Sequence, residues 1–327
     1  MPNLSTITDA LAAAQKRGLL PTSLSTAELR ELGAELLARS VFSALATNAI
    51  YVDQLKKLID QLAAGDLSEG QVRTALWELG KALGYDSEKG GFPGEELEPA
   101  LKGTLQDLMS FRRRDLIVRT QRDLMQGAGL KMRGSEPDRL SEFPAWELVR
   151  WYDVKDARVW PGRWAIAGGK PRVAGRDALA YKVVGEATGF IALKGDPVWG
   201  ELGSYDNFSD ALGVDHPPFY FNSGMGWREV SIEEVRSLGV TGPSGETPEE
   251  WLASEPATLT GKQPLPTPQV SLNGIDPALI EKFKKLSAAQ EVPGKPGRYT
   301  LVERLQMKFD DSTQADLERA ERNYQQE

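Results

Sequence analysis

Apolar residues recur at helical spacing from Thr26 to Ala64, with Leu29, Leu32, Leu36, Leu37, Ser40, Val41 and Leu45 on one stripe, and this predicts one long helix. Ser25 followed by Glu28 forms a capping-box pattern at its start. A second helix is predicted from Ser68, an N-cap residue, through Val72, Ala75, Leu76, Leu79 and Leu83 to Gly84, where a left-handed residue ends it. After a Gly/Pro loop, a third helical region is predicted over Leu97 to Gly127, where Leu105, Leu108, Met109, Leu116, Ile117, Leu124 and Ala128 share a face.

The pattern changes around residues 143 to 230. This stretch holds six of the eight tryptophans, frequent glycine breaks and short alternating runs, RWAIA at 163–167 and YKVV at 181–184, which predict strands. Trp146, Trp151, Trp160 and Trp164 are read as core. Beyond Gly239, Pro243, Pro248, Pro256, Pro264, Pro266 and Pro268 leave no room for a long helix or a central strand, and an extended arm is expected. Two helical patterns follow, Pro277 to Ala289 and Thr313 to Gln326, separated by VPGKPG. The fold class expected is α+β. Four regions are expected: a helical region 1–135, a Trp-rich α+β domain 136–240, a Pro-rich arm 241–275 and a helical tail 276–327.

Composition narrows the chemistry. The 327 residues are 40% hydrophobic and 26% charged, enough for at least one full core. No apolar run approaches the roughly 20 residues of a bilayer span, and the first residues lack the pattern of a signal peptide, so no membrane association and a cytoplasmic origin are expected. Zero cysteines exclude disulfides and thiolate metal sites, and a single histidine excludes paired-histidine zinc motifs. Asp153, Asp156 and Asp177 lack calcium-loop spacing. Neither GxGxxG nor a Walker loop is present, so no cofactor and no metal are expected. The net charge of −8 opposes broad binding to nucleic acid.

Two stretches stand out as contact candidates. The run DHPPFYFNSGMGWREV, 215–230, concentrates the one histidine, a Pro-Pro pair, two glycines and four rings. His216, Phe219, Tyr220, Phe221 and Trp227 are its candidate partner-binding residues, with core plugging by the rings as the alternative. Residues 111–139 carry eight Lys/Arg against four Asp/Glu. Arg112, Arg113, Arg114, Arg119 and Arg122 could meet DNA or an acidic partner, or form a solvated helix face with i,i+4 pairs. No aromatic residue interleaves them for base stacking. A catalytic reading would need His216 as a base oriented by Asp215 or Asp210, without a nucleophile elbow or a second histidine, and no catalytic residue is assigned.

Three stretches carry a family likeness: ARSVFSALATNA at 38–49, LIVRTQRDLMQGAG at 116–129, and a discontinuous run from FPAWELVR at 143–150 through RWAIAGG to IALKGDPVWGELG and the HPPF loop. Together, over roughly residues 25 to 240, they resemble the minor head, or head-morphogenesis, proteins of tailed bacteriophages, the broad group that includes the Mu F-like proteins. Here the His-Pro element leads into PFYFNSGMGW without the cysteines many of those proteins carry, and DALAYKVVGEATG at 177–189 looks like an insertion. The resemblance implies a virion component assembled in the bacterial cytoplasm, placed near the portal vertex, that binds portal protein, major capsid protein or packaged DNA and is not an enzyme. The alternatives are a virion-associated hydrolase or transferase using His216, and a head–tail adaptor.

Overall fold

The structure is a computed structural model, and it describes residues 17–31, 40–42, 46–93, 102–173, 175–177, 179–254, 269–272, 275–286, 289–301 and 315. The fold is mixed α+β, as the sequence pattern predicts. The chain divides into two compact units, one mainly Asp123–Leu265 and the other mainly Leu11–Arg122 with Pro266–Glu327. The division differs from the four regions expected, because the chain after Pro266 belongs with the N-terminal region.

In the unit that holds the N-terminal region, strand β1 (Gly18–Leu20) pairs in parallel with β2 (Ser40–Phe42). Helix α1 (Thr26–Glu31) follows β1, and the predicted capping box is present, with Ser25 N–H donating to Glu28 Oε2 at 2.9 Å. The single long helix expected from Thr26 to Ala64 is therefore not formed. Of that stripe, Leu29 lies in α1, and Ser40 and Val41 lie side by side, both buried, in β2, while Leu32, Leu36, Leu37 and Leu45 lie outside the described residues; the end of the expected range is a separate helix, α2 (Ala49–Ala64). Asn48 starts that helix by accepting the Tyr51 N–H at 3.0 Å, an N-cap the sequence reading passed over.

Helix α3 (Glu69–Ala82) begins at the Ser68 cap, where Gln71 reciprocates, and ends as predicted at Gly84, whose φ of 74° lets Tyr85 N–H reach back to Gly80 O. Helix α4 (Phe111–Gly134) starts later than the pattern predicted. Ser110 Oγ accepts the Arg113 N–H, and residues 102–110 are turns that hold Asp107 against Ser87 and the Gly103 N–H. The chain passes from one unit into the other within this helix.

Three strands complete the N-terminal unit, β6 (Gln269–Ser271), β7 (Gln290–Glu291) and β8 (Arg298–Thr300), in antiparallel order β6-β8-β7, with helix α10 (Pro277–Leu286) between β6 and β7. The segment VPGKPG, expected to separate two tail helices, is instead the β7–β8 hairpin loop, with Gly294 and Gly297 both at φ 74°. The helical pattern Thr313 to Gln326 lies outside the described residues apart from 315.

The other unit is built on β3 (Ala145–Arg150), the middle strand of an antiparallel sheet between β4 (Ile191–Leu193) and β5 (Met225–Val230). Every residue of β3 is buried, so the sheet is covered on both faces. Trp146 and Leu148 face one side with Ala192, Met225 and Trp227, and that side packs against Trp160, Trp164 and Trp199. Ala145 faces the other side with Ile191, Leu193 and Val230, joined by Leu140, Val235 and Trp251. Trp146, Trp160 and Trp164 are core, as read from the sequence, and Trp151 is half-buried.

Short helices cover these faces: α5 (Pro137–Glu142), α6 (Trp160–Ile166), α7 (Val198–Leu202), α8 (Ile232–Ser237) and α9 (Pro248–Leu252). The run RWAIA, expected as a strand, lies largely in α6. Pro161 suits a first helical turn, and Trp160, Trp164 and Ala167 recur at helical spacing on the buried side. Of YKVV, Tyr181 and Lys182 lie in a 3₁₀ turn, Ala180–Lys182, and Val184 makes one isolated bridge to Arg150.

The start of the expected arm, 241–254, is packed rather than extended. Thr247 and Glu250 form a capping box, and the Trp251 indole N–H donates to Lys194 O at 2.8 Å. Residues 255–268 of the arm lie outside the described set.

Candidate functional site

Within the Trp-rich unit, the loop from Asp215 to Gly224 is fixed at both ends and from below. Pro217–Pro218 is a cis peptide, and Phe219 and Asn222 adopt φ of 56° and 50°, left-handed values that a non-glycine residue seldom takes. Leu212 N–H donates to Phe219 O at 2.8 Å, and Tyr220 O–H donates to Leu202 O at 2.6 Å. Beneath the loop runs the second half of α4. A Cβ on Gly127 would stand 1.9 Å from Pro217 O and 2.7 Å from His216 Nδ1, so only glycine lets the loop sit this close. One turn later Lys131 makes an ion pair with Asp215, and one turn earlier Asp123 accepts the Tyr152 hydroxyl. Positions 123, 127 and 131 therefore put three consecutive turns of one helix face to work in seating this region.

The rings of the loop face inward. Phe219 and Tyr220 are fully buried and Trp227 is 5% exposed. Trp227 stacks on Trp146 with centroids 4.8 Å apart, and meets Trp199 and Phe219 edge-on. These three residues are thus corrected from partner anchors to core plugs, because the positive φ at Phe219 and the Leu202 carbonyl turn the side chains under the loop. His216 and Phe221 are half-buried and stay at the surface. His216 Nδ1 lies 2.7 Å from the adjacent Pro217 carbonyl oxygen, a hydrogen bond that requires a proton on Nδ1 because a carbonyl only accepts.

Asp210 closes the far side of the loop. Arg163 holds both its oxygens, at 2.9 and 3.0 Å, and Arg158 donates to it at 2.9 Å and to Phe221 O at 3.1 Å. The Arg163 guanidinium also lies 4.1 Å from the Tyr220 ring centroid. Burial acts to raise the Asp210 carboxyl, but the two guanidiniums outweigh it and hold it below the usual carboxylate value. Asp210 is bound by two arginines, whereas Asp215 pairs with Lys131 and lies in the field of His216; burial acts to raise the Asp215 carboxyl, but Lys131 and His216 help hold it below the usual carboxylate value.

Two further charged groups lie at the sheet. Glu147, fully buried, accepts the Gly189 N–H at 2.7 Å and the Arg228 guanidinium at 3.0 Å, and Arg228 continues to Glu234. Lys194, 2% exposed, donates to Glu229 at 2.8 Å and Gly134 O at 3.0 Å, with its ammonium 4.2 Å from the Trp146 ring centroid. Burial pushes the Lys194 ammonium down to about 8, against the opposing pull of Glu229. Among the described residues no group of three or more His, Cys, Asp or Glu side chains is placed to hold a metal ion.

The basic helix lies in the other unit as far as Arg122. Arg112 is exposed. Arg113 donates to Leu105 O at 3.3 Å, Arg114 to Met109 O at 3.1 Å, Arg119 pairs with Asp115 at 3.1 Å, and Arg122 pairs with Glu69 of α3. Four of the five arginines are thus tied to neighbours within the unit. In the sequence, Lys131 counts only as part of the basic stretch and Gly127 only as the end of a helical pattern, while Arg158 and Arg163 carry no signal of their own. The i,i+4 spacing from Asp123 to Lys131 was legible, whereas the Arg158–Arg163–Asp210 group is made by tertiary structure alone. Comparison of the chain with protein-family models, with curated proteins and with solved structures finds no match. Among the described residues no helix is long and apolar enough to cross a membrane.

Proposed function

We propose that this chain is a minor head protein of a tailed phage or prophage, a virion component that acts by binding portal protein, major capsid protein or packaged DNA. The reading rests on the family resemblance. The observation that best supports it concerns the third, discontinuous stretch. FPAWELVR provides β3, RWAIAGG provides most of α6, IALKGDPVWGELG provides β4 and α7, and HPPF provides the loop that closes over them. Pieces scattered over some 75 residues of sequence share one aromatic core.

Co-expression with the products of the neighbouring genes, followed by size-exclusion chromatography and mass spectrometry, tests this reading. Co-elution with a portal or major capsid protein is the expected result. Elution as a lone monomer, together with a hydrolase or transferase activity that His216→Ala abolishes, would replace it with the enzymatic reading.

A further inference from the structure

We infer that the face formed by α3 and the first half of α4 docks an acidic, amphipathic helical segment of a partner protein. The two helices run antiparallel, since Glu69 pairs with Arg122, Arg73 with Asp115, and Gly80 packs at Met109. This arrangement brings together apolar side chains that the sequence keeps apart. Phe111 is 63% exposed and Trp77 39%. Arg73 lies 5.7 Å from the Phe111 ring centroid and sits one helical turn before Trp77, so the two rings belong to one face. Exposed aromatic groups gathered in this way mark an interaction surface when they are rimmed by charge.

The rim is basic. Residues 69–82 and 111–122 carry seven Lys/Arg against three Asp/Glu, within a chain whose net charge is −8. The three carboxylates are each engaged: Glu69 by Arg73 and Arg122, Asp115 by Arg73 and Arg119, and Glu78 by Lys81. The surplus is therefore positive, and an acidic partner, repelled by the chain as a whole, is drawn to this face.

The same geometry selects protein over nucleic acid. Lys81 Nζ lies 3.6 Å from the Trp77 ring centroid and occupies a face on which a base would stack. Arg73, Arg119 and Arg122 are held in ion pairs within the unit, which leaves a cationic border instead of a row of cations for phosphates. Phe111 and Trp77 offer apolar surface on that face which a helix with acidic flanks would cover. This inference stands apart from the head-protein reading, because it names the chemistry of the partner and not its source.

Fluorescence anisotropy on the full chain provides the test. The probes are a labelled Glu/Leu peptide of about 18 residues with leucine along one helical face, its Lys-for-Glu counterpart, and a labelled oligothymidylate of about 20 nucleotides. Binding of the Glu/Leu peptide, weakened about tenfold by the double substitution Phe111→Ser with Arg112→Glu and weakened by added salt, is expected. Both positions are exposed, and thermal unfolding of the variant checks that its fold is kept. Failure of the Glu/Leu peptide to bind, equal binding of the Lys/Leu peptide, or binding that the double substitution leaves unchanged would overturn the inference. Oligothymidylate binding lost in the variant, without peptide binding, would assign the face to nucleic acid instead.

Discussion

At the scale of single residues, two glycines in helices have opposite consequences. Gly127→Ala places a methyl group 1.9 Å from the Pro217 carbonyl, and the neighbour there is backbone, which cannot swing aside. A net loss of about 1–3 kcal/mol is expected even after the better helix propensity of alanine is counted. Gly162→Ala, in α6, meets nothing within 4 Å and should gain up to about 1 kcal/mol. Denaturant unfolding of the two variants measures both, and equal shifts would show that the loop does not depend on Gly127. Lys194 gives a sign that is easily mistaken. Its folded pKa of about 8 lies below the usual 10.5, so between those values the unfolded chain binds more protons than the folded one. Its contribution to stability therefore rises with pH from about 8 to about 10.5 and is least favourable below that window. The difference in unfolding free energy between the parent and Lys194→Met isolates this contribution, and a difference that is flat or falls over the window would refute it.

At the scale of elements, capping chemistry was the most legible part of the fold and periodicity the least. Ser25, Ser68 and Gly84 act at the helix ends their sequence contexts predicted, because a cap is decided by hydrogen bonds within a few residues. The stripe from Leu29 to Leu45 was misread, because a short buried strand and a helix both place apolar residues close together. In RWAIA the alternation was real, but Pro161 and the Trp160–Trp164 spacing settled the helix. Inward and outward faces of the 215–230 loop are not legible in the sequence, since they depend on Phe219 at φ 56° and on the Leu202 carbonyl, eighteen residues before the Tyr220 hydroxyl it accepts. One of the groups that hold this loop is the carboxylate of Asp210. Asp210→Asn leaves two guanidiniums sharing a neutral amide, and hydrogen exchange at Leu212 and Phe219 should quicken, by tenfold or more if about 1.5 kcal/mol is lost. The folded carboxyl is depressed, so its stabilisation is present above the ordinary carboxylate value and fades as pH falls through the lower, folded one. Acid should loosen the parent loop in that range and leave the Asn variant unchanged by this group. Equal acid sensitivity in both would remove Asp210 from that role.

At the scale of the whole molecule, each compact unit has its own buried residues, and Trp251 shows how a segment far along the chain becomes part of one of them. Its ring lies under the sheet with Leu193 and Val230, and its indole N–H takes the Lys194 carbonyl, although it follows a stretch whose glycines and prolines read as an extended arm. The sequence signal that could have placed it was the Thr247–Glu250 capping box directly before the tryptophan, a local instruction for a helical turn within a proline-rich context. Truncation to alanine removes a large buried ring and orphans a buried carbonyl, a loss of about 3–5 kcal/mol. In the other unit, Tyr51, Leu55 and Ile59 of α2 are fully buried in a separate part of the chain. Trp251→Ala should therefore speed hydrogen exchange across Ala145–Arg150 while amides of Tyr51–Ile59 keep their protection. Leu55→Ala, costing about 2–5 kcal/mol, should do the reverse. Loss of protection in both regions from either variant would mean that the two units unfold as one cooperative body, and the independent cores argued from their packing would have to be given up.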